Sequence, residues 1–128
     1  MQEVENPERS RRIIIIDDDP TFVSMLTSML ESLGFEVKAS TDARSSQTYE
    51  IRDSDIVFVD AVMPHVSGLQ VLEQLARQGT KALIIAMSGD PQRLDQAESL
   101  ARKLELNIVG VLEKPFRVTD LKFILDDL

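Results

Sequence analysis

The sequence predicts an α/β fold, a (βα)₅ arrangement in which five parallel strands form one doubly wound sheet with helices on both faces. Three observations predict it. Four short, mostly β-branched apolar runs recur along the chain, helix-like stretches with their own start signals separate them, and a polar or charged residue follows each run within two positions. Continuous apolar runs of this length fit strands buried on both faces of a parallel sheet. Strands that alternate with amphipathic helices imply a sheet sandwiched between helix layers.

The elements follow in order. Met1 to Arg11 is polar and reads as a flexible N-terminal arm, with residues 12–128 forming the single domain. Ile13-Ile14-Ile15-Ile16 is the first strand. Asp19-Pro20 supplies a cap and a first-turn proline for a helix with Phe22, Met25, Leu26, Met29, Leu30 and Leu33 on one face, and Gly34 ends it. Phe35-Glu36-Val37-Lys38-Ala39 alternates like a half-buried edge strand. Thr41 to Arg52 takes the place of the second helix, with a poor apolar face anchored mainly by Tyr49. Ile56-Val57-Phe58-Val59 is the third strand. Ser67-Gly68-Leu69-Gln70 has capping-box spacing ahead of Val71, Leu72 and Leu75. After the fourth strand, Ala82 to Ala86, Asp90-Pro91 repeats the cap-plus-proline device before Leu94, Ala97, Leu100, Ala101 and Leu104. Ile108 to Leu112 is the fifth strand, and Leu121, Ile124, Leu125 and Leu128 mark the last helix. Methionines at helical spacing read as core filler.

Composition excludes several classes of function. With 128 residues, 43% hydrophobic and 28% charged, the chain is a single globular domain able to bury a core. No apolar stretch approaches a membrane span, and the start lacks the apolar region of a signal peptide. There is no cysteine, which excludes disulfides and thiolate metal sites and points to a reducing, cytoplasmic setting. A formal net charge of −8 argues against direct nucleic-acid binding and against an anionic membrane surface.

The polar residues that end the strands carry the chemistry. In an open parallel sheet, ligands bind beyond the carboxyl ends of the strands, where the strand order reverses. Asp17, Asp18 and Asp19 follow the first strand, Asp60 the third, Ser88 the fourth and Lys114 the fifth. If the first and third strands are neighbours, the carboxylates converge, and hard oxygen ligands packed together favour Mg²⁺. A carboxylate nucleophile, a metal and further donors are what phosphoryl transfer requires. Taken singly, each residue has a plainer role. Asp19 reads as a helix cap, Ser88-Gly89-Asp90-Pro91 as a turn into a helix, Lys114 as a surface lysine and His65 as a surface histidine.

Four segments in order, each ending a strand, resemble the receiver domain of two-component response regulators. They are Ile13-Ile14-Ile15-Ile16-Asp17-Asp18-Asp19-Pro20, Asp60-Ala61-Val62-Met63-Pro64-His65-Val66-Ser67-Gly68, Ile84-Ile85-Ala86-Met87-Ser88-Gly89 and Glu113-Lys114-Pro115-Phe116. The resemblance runs from Arg12 to Leu128 and implies strand order 2-1-3-4-5. It implies that Asp60 is the phosphoacceptor and that the domain is not an enzyme in its own right. Asp18, Asp60 and the Val62 backbone carbonyl would bind Mg²⁺ directly, and Asp17 would do so through a water. Ser88 would bond a phosphoryl oxygen, Lys114 would pair with the phosphoryl group or with Asp60, and Lys114-Pro115 would be cis. The donor would be a sensor histidine kinase or a phosphotransfer protein. An output domain, a partner or a second copy in a homodimer would meet the face of the fourth helix, fifth strand and fifth helix.

One position departs from the family's pattern. Receivers often carry Tyr or Phe three residues before the lysine, and here that residue is Val111, which has no ring to reorient. Val62 and Asp90 occupy positions resembling the family's modulators of phosphoryl lifetime. Two other readings stand beside this one. Asp17-Asp18-Asp19-Pro20-Thr21 also fits the Asp-x-Asp-x-Thr pattern of haloacid-dehalogenase-like phosphohydrolases, with Asp17 as nucleophile, although that leaves Asp60 unexplained. The Val111 departure also admits a docking module that keeps the fold without the chemistry.

Overall fold

Each apolar run folds into a strand, and alternate residues of one run enter opposite cores. Ile13 and Ile15 pack on one face of the sheet and Ile14 and Ile16 on the other, all of them at most 1% exposed. This is why the runs are continuous rather than alternating: a strand covered on both faces has no solvent side. The computed structural model describes residues 11–40, 51–63 and 67–128. Over these residues the elements are β1 (Arg12–Ile16), α1 (Pro20–Ser32), β2 (Glu36–Ser40), β3 (Ile56–Asp60), α2 (Gly68–Arg77), β4 (Leu83–Ser88), α3 (Pro91–Lys103), β5 (Asn107–Glu113) and α4 (Val118–Asp126). The arm Met1 to Ser10, the main part of the expected second helix (residues 41–50) and Pro64-His65-Val66 lie outside the described residues. The fourth and fifth helices of the sequence pattern are therefore α3 and α4.

The sheet is parallel throughout, in the order β2-β1-β3-β4-β5. The reversal falls between β1 and β3, where Ile13 pairs with Ile56 and Ile16 with Val59. Helices α1 and α4 pack on the face of Ile13, Ile15, Phe58 and Met87, and α2 and α3 on the face of Ile14, Val57, Val59 and Ile84.

The helix boundaries obey their local signals. The Asp19 carboxylate accepts from Thr21 N and Phe22 N with Pro20 opening α1, and Asp90 accepts from Gln92 N ahead of Pro91. Ser67 and Gln70 form the reciprocal capping box of α2, with bonds of 3.2 and 3.0 Å. Helix α1 stops where Gly34 takes a φ of 97°, letting Phe35 N reach back to the Leu30 carbonyl.

Two expectations need correction. Met25 is not core filler: it is 47% exposed, and Val23 at 6% lies in the core instead. The buried stripe of α1 is Val23, Leu26 and Leu30, and Met25 stands about 100° around the helix from Leu26, beyond the stripe's edge. The fifth apolar run is not buried on both faces, because β5 is an edge strand, with Val109 38% and Val111 37% exposed. Its register slips opposite Ile84 and Ile85, and Ile124 of α4 lies directly over Gly110. An open groove of about 900 Å³ runs between β5 and α4, lined by Val111, Phe116 and Ile124 among others.

Candidate functional site

The carboxyl ends of β1, β3, β4 and β5 meet at one edge of the sheet, and the polar residues that end them converge there. Asp17 is fully buried, Asp60 is 6% exposed and Asp18 is half-buried. Oxygens from all three lie within 4.8 Å of one another. Lys114 reaches across from the end of β5, its Nζ 2.7 Å from Asp17 Oδ2 and 3.4 Å from Asp60 Oδ2. The lysine therefore sits closer to Asp17 than to Asp60. The Lys114–Pro115 bond is cis.

Backbone groups fix the carboxylates. Asp17 Oδ1 accepts from Asp19 N at 3.0 Å, so both oxygens of Asp17 are engaged. Asp60 Oδ1 accepts from Val62 N at 3.2 Å. Ser88 is buried beside this cluster at the end of β4, where its Oγ accepts from Asp90 N at 3.0 Å and its carbonyl accepts from Lys114 N at 2.8 Å. Asp19 is exposed and caps α1, as its sequence position predicts. Val62 is exposed next to Asp60, whereas Val111 faces the groove of β5.

The electrostatics follow from three carboxylates facing one ammonium. Burial, then the charge of Asp17, raise the Asp60 carboxyl from 3.8 to about 6, against the opposing pull of the Val62 N–H and of Lys114. The pocket carries more negative charge than its lysine balances. A buried, oxygen-lined site with excess negative charge suits a small hard dication, and the donors present fit Mg²⁺.

Sequence reading did not assign two features. Phe22, expected only as a core residue, lies with its ring centroid 3.9 Å from Lys114 Nζ. Arg12 and Asp55 form a two-bond ion pair at the opposite end of the sheet. An aromatic residue just inside a helix that follows the acidic loop is the only sequence hint of the first. Nothing in the local pattern marks the second.

The class follows from this geometry together with the sequence. The sequence model of the response regulator receiver domain matches residues 13–126, and the chain belongs to that family. It is a receiver domain of the two-component type, a signalling phosphoacceptor rather than a catalytic enzyme, and membership sets aside the phosphohydrolase reading of Asp17. A response regulator from Colwellia psychrerythraea is 30% identical with a TM-score of 0.83, the match covering 91% of this chain and 94% of that one. The response regulator TrrA from Thermotoga maritima, solved in complex with Mg²⁺-BeF, shares the fold at 23% identity and a TM-score of 0.74, with 91% and 97% covered. Among curated proteins, the alkaline phosphatase synthesis regulator SphR of Synechococcus elongatus is 28% identical over 120 residues, covering 86% of this chain and 45% of that protein. PhoP of Bacillus subtilis is 25% identical over 108 residues, covering 84% and 43%. The chain thus spans under half the length of these two transcriptional regulators. Among the described residues no helix is long and apolar enough to cross a membrane.

One glycine links the fold to the site. A Cβ on Gly68 would collide with the Asp60 carbonyl oxygen and stand 2.6 Å from Ala61 Cα, so only glycine lets the start of α2 lie against the Asp60 loop. Both obstacles are backbone and cannot swing aside. Gly68→Ala should lower stability by about 1–3 kcal/mol through overpacking. Urea unfolding should show an earlier midpoint with an unchanged slope. An unshifted midpoint would mean that the loop yields at no cost.

Proposed function

We propose that this receiver takes a phosphoryl group on Asp60 from a phosphohistidine and relays the change to the α3–β5–α4 face. The observation that carries the proposal is the convergence of Asp17, Asp18, Asp60 and Lys114 on one pocket at the point where the strand order reverses. Asp60 is the carboxylate of that set at the end of the central strand β3, with a lysine beside it and the exposed Val62 loop at its mouth.

An Asp60 carboxylate oxygen attacks the phosphorus in line, and a P–O bond forms as the P–N bond to the donor imidazole breaks. The electron pair of that bond goes to the ring, which leaves as neutral imidazole because its other nitrogen already carries a proton. Mg²⁺, when bound, neutralises the phosphoryl oxygens; Asp18, Asp60 and the Val62 carbonyl would hold it directly and Asp17 through a water. Lys114, held at 2.7 Å by Asp17 and 3.4 Å from Asp60, contributes a positive charge to the transferred group. Ser88 donates its hydroxyl proton to a phosphoryl oxygen, and the pull on Ser88 draws the loop between β4 and α3. Phosphorylation shifts the equilibrium only through such contacts that differ between the two states. A sensor histidine kinase or phosphotransfer protein, in the cytoplasm, is the donor, and an output domain, a partner or a second copy reads the α3–β5–α4 face.

Intact-mass spectrometry after incubation with Mg²⁺ and acetyl phosphate tests the assignment. A single phosphoryl adduct is expected in the wild type, lost with EDTA and absent in Asp60→Asn. An adduct that survives Asp60→Asn but disappears in Asp17→Asn would transfer the nucleophile to Asp17. A folded wild type that takes no phosphoryl group from acetyl phosphate or from a phosphohistidine donor would leave a docking module.

A further inference from the structure

We infer that Phe22 is a positioning residue for Lys114, holding its ammonium in the acidic pocket where it can meet a phosphoryl group. The inference rests on the phosphoacceptor reading above and extends it to a residue outside the polar set. Lysine offers three N–H donors. Two directions from Lys114 Nζ lead to Asp17 and Asp60, and a third side is closed by the Phe22 ring, 3.9 Å from its centroid. A cation over an aromatic face is attracted by the ring quadrupole, more strongly where water is excluded, and the Lys114 side chain is only 21% exposed.

The ring itself is held from two directions. Phe22 N donates to the Asp19 cap at 3.3 Å, which with Pro20 fixes where the first turn of α1 places the side chain. Phe116 meets the ring edge-on, centroids 5.6 Å apart at 89°, and is itself 8% exposed. Phe116 and Lys114 flank the same proline, so the segment that delivers the cation also braces its aromatic platform. Packing alone would be served by leucine or methionine; what a ring adds is a neutral partner for the cation. A further carboxylate at that position would add to the excess negative charge of the pocket, and water would let the flexible side chain leave it. The π face does neither.

Three variants of the whole chain separate this role from packing: Phe22→Leu, which keeps apolar volume, Phe22→Tyr, which keeps the quadrupole, and Lys114→Ala as the limit. In the metal-free wild type, the ring current should shift the Lys114 Hε resonances upfield in a ¹³C-lysine spectrum, and Phe22→Leu should abolish the shift. Phosphoryl uptake from acetyl phosphate with Mg²⁺ should fall about tenfold in Phe22→Leu, the scale of a partly desolvated cation–π contact. Phe22→Tyr should recover most of that loss. Lys114 Hε at ordinary positions in the wild type, or folded Phe22→Leu taking up phosphate as fast as wild type, would overturn the role of Phe22 alone. A wild type that forms no adduct while its Hε shift is present would overturn the phosphoacceptor reading, and the role of Phe22 in uptake with it.

Discussion

Asp55→Ala is expected to lower the unfolding free energy by about 3–5 kcal/mol, the cost of breaking a buried ion pair from one side. The Asp55 side chain is fully buried and that of Arg12 is 12% exposed. The guanidinium meets the carboxylate through two bonds, Nε to Oδ1 at 3.1 Å and an Nη to Oδ2 at 2.8 Å, a geometry that suits the planar fork of arginine. Asp55 Oδ2 also accepts from Arg52 N at 2.8 Å, and its backbone carbonyl accepts from Leu83 N at 3.0 Å. One residue thus ties the start of β1, the turn before β3 and the start of β4. Alanine removes a fully buried carboxylate together with the hydrogen bonds it accepts from the guanidinium and from Arg52 N. Urea titration should show the loss as a lower midpoint with an unchanged slope. The pair lies at the opposite end of the sheet from Asp60, so phosphoryl uptake by the folded variant should match the wild type. A loss below about 1 kcal/mol would put this pair among ordinary surface ion pairs.

Asp60→Asn should abolish phosphoryl uptake and at the same time make the metal-free domain more stable at pH 8, by about 3 kcal/mol. Burial and the charge of Asp17 raise the folded carboxyl to about 6 from 3.8. Between those two values the unfolded chain gives up its proton while the folded chain still holds it, so ionisation favours unfolding. The stabilisation from this group is full below about pH 4, declines as pH rises, and is gone once pH has passed about 6. Asparagine carries no charge at any of these pH values and escapes the loss. The advantage of the variant should therefore vanish toward pH 4 and be complete by pH 8. Mg²⁺ should narrow it at pH 8, since a cation that binds the folded wild type stabilises it. Equal stability of the two proteins at pH 8 without metal would mean that Lys114 already balances the Asp60 charge. Function and stability would then not be opposed at this residue.

The placement of the candidate site was legible to a large degree because its polar residues sit at punctuation. Asp17, Asp60, Ser88 and Lys114 each stand where an apolar run ends, and a parallel sheet brings such ends together whatever the loops between them do. Asp19-Pro20, Ser67 with Gln70 and Asp90-Pro91 are local devices whose hydrogen bonds close within a few residues, and all three cap as read. Distances among the site residues were not legible in this way. Lys114 lies 97 residues from Asp17 and 54 from Asp60, and no pattern along the chain says which of the two it approaches more closely.

By itself the sequence determined the strands, most of the helices, their caps and the set of polar residues at the strand ends, because hydrophobic period and capping chemistry act over a few neighbouring positions. Only the tertiary structure decided which residues became partners. It turned Met25 outward and Val23 inward, since the direction of a helix face depends on the layer against which it packs. It left β5 half-exposed, since an apolar run is the same in the middle of a sheet as at its edge. It joined Arg12 to Asp55, set Lys114 nearer Asp17 than Asp60 and laid the Phe22 ring against the ammonium. Each of these contacts closes between segments far apart in the chain, where periodicity carries no information about the neighbour.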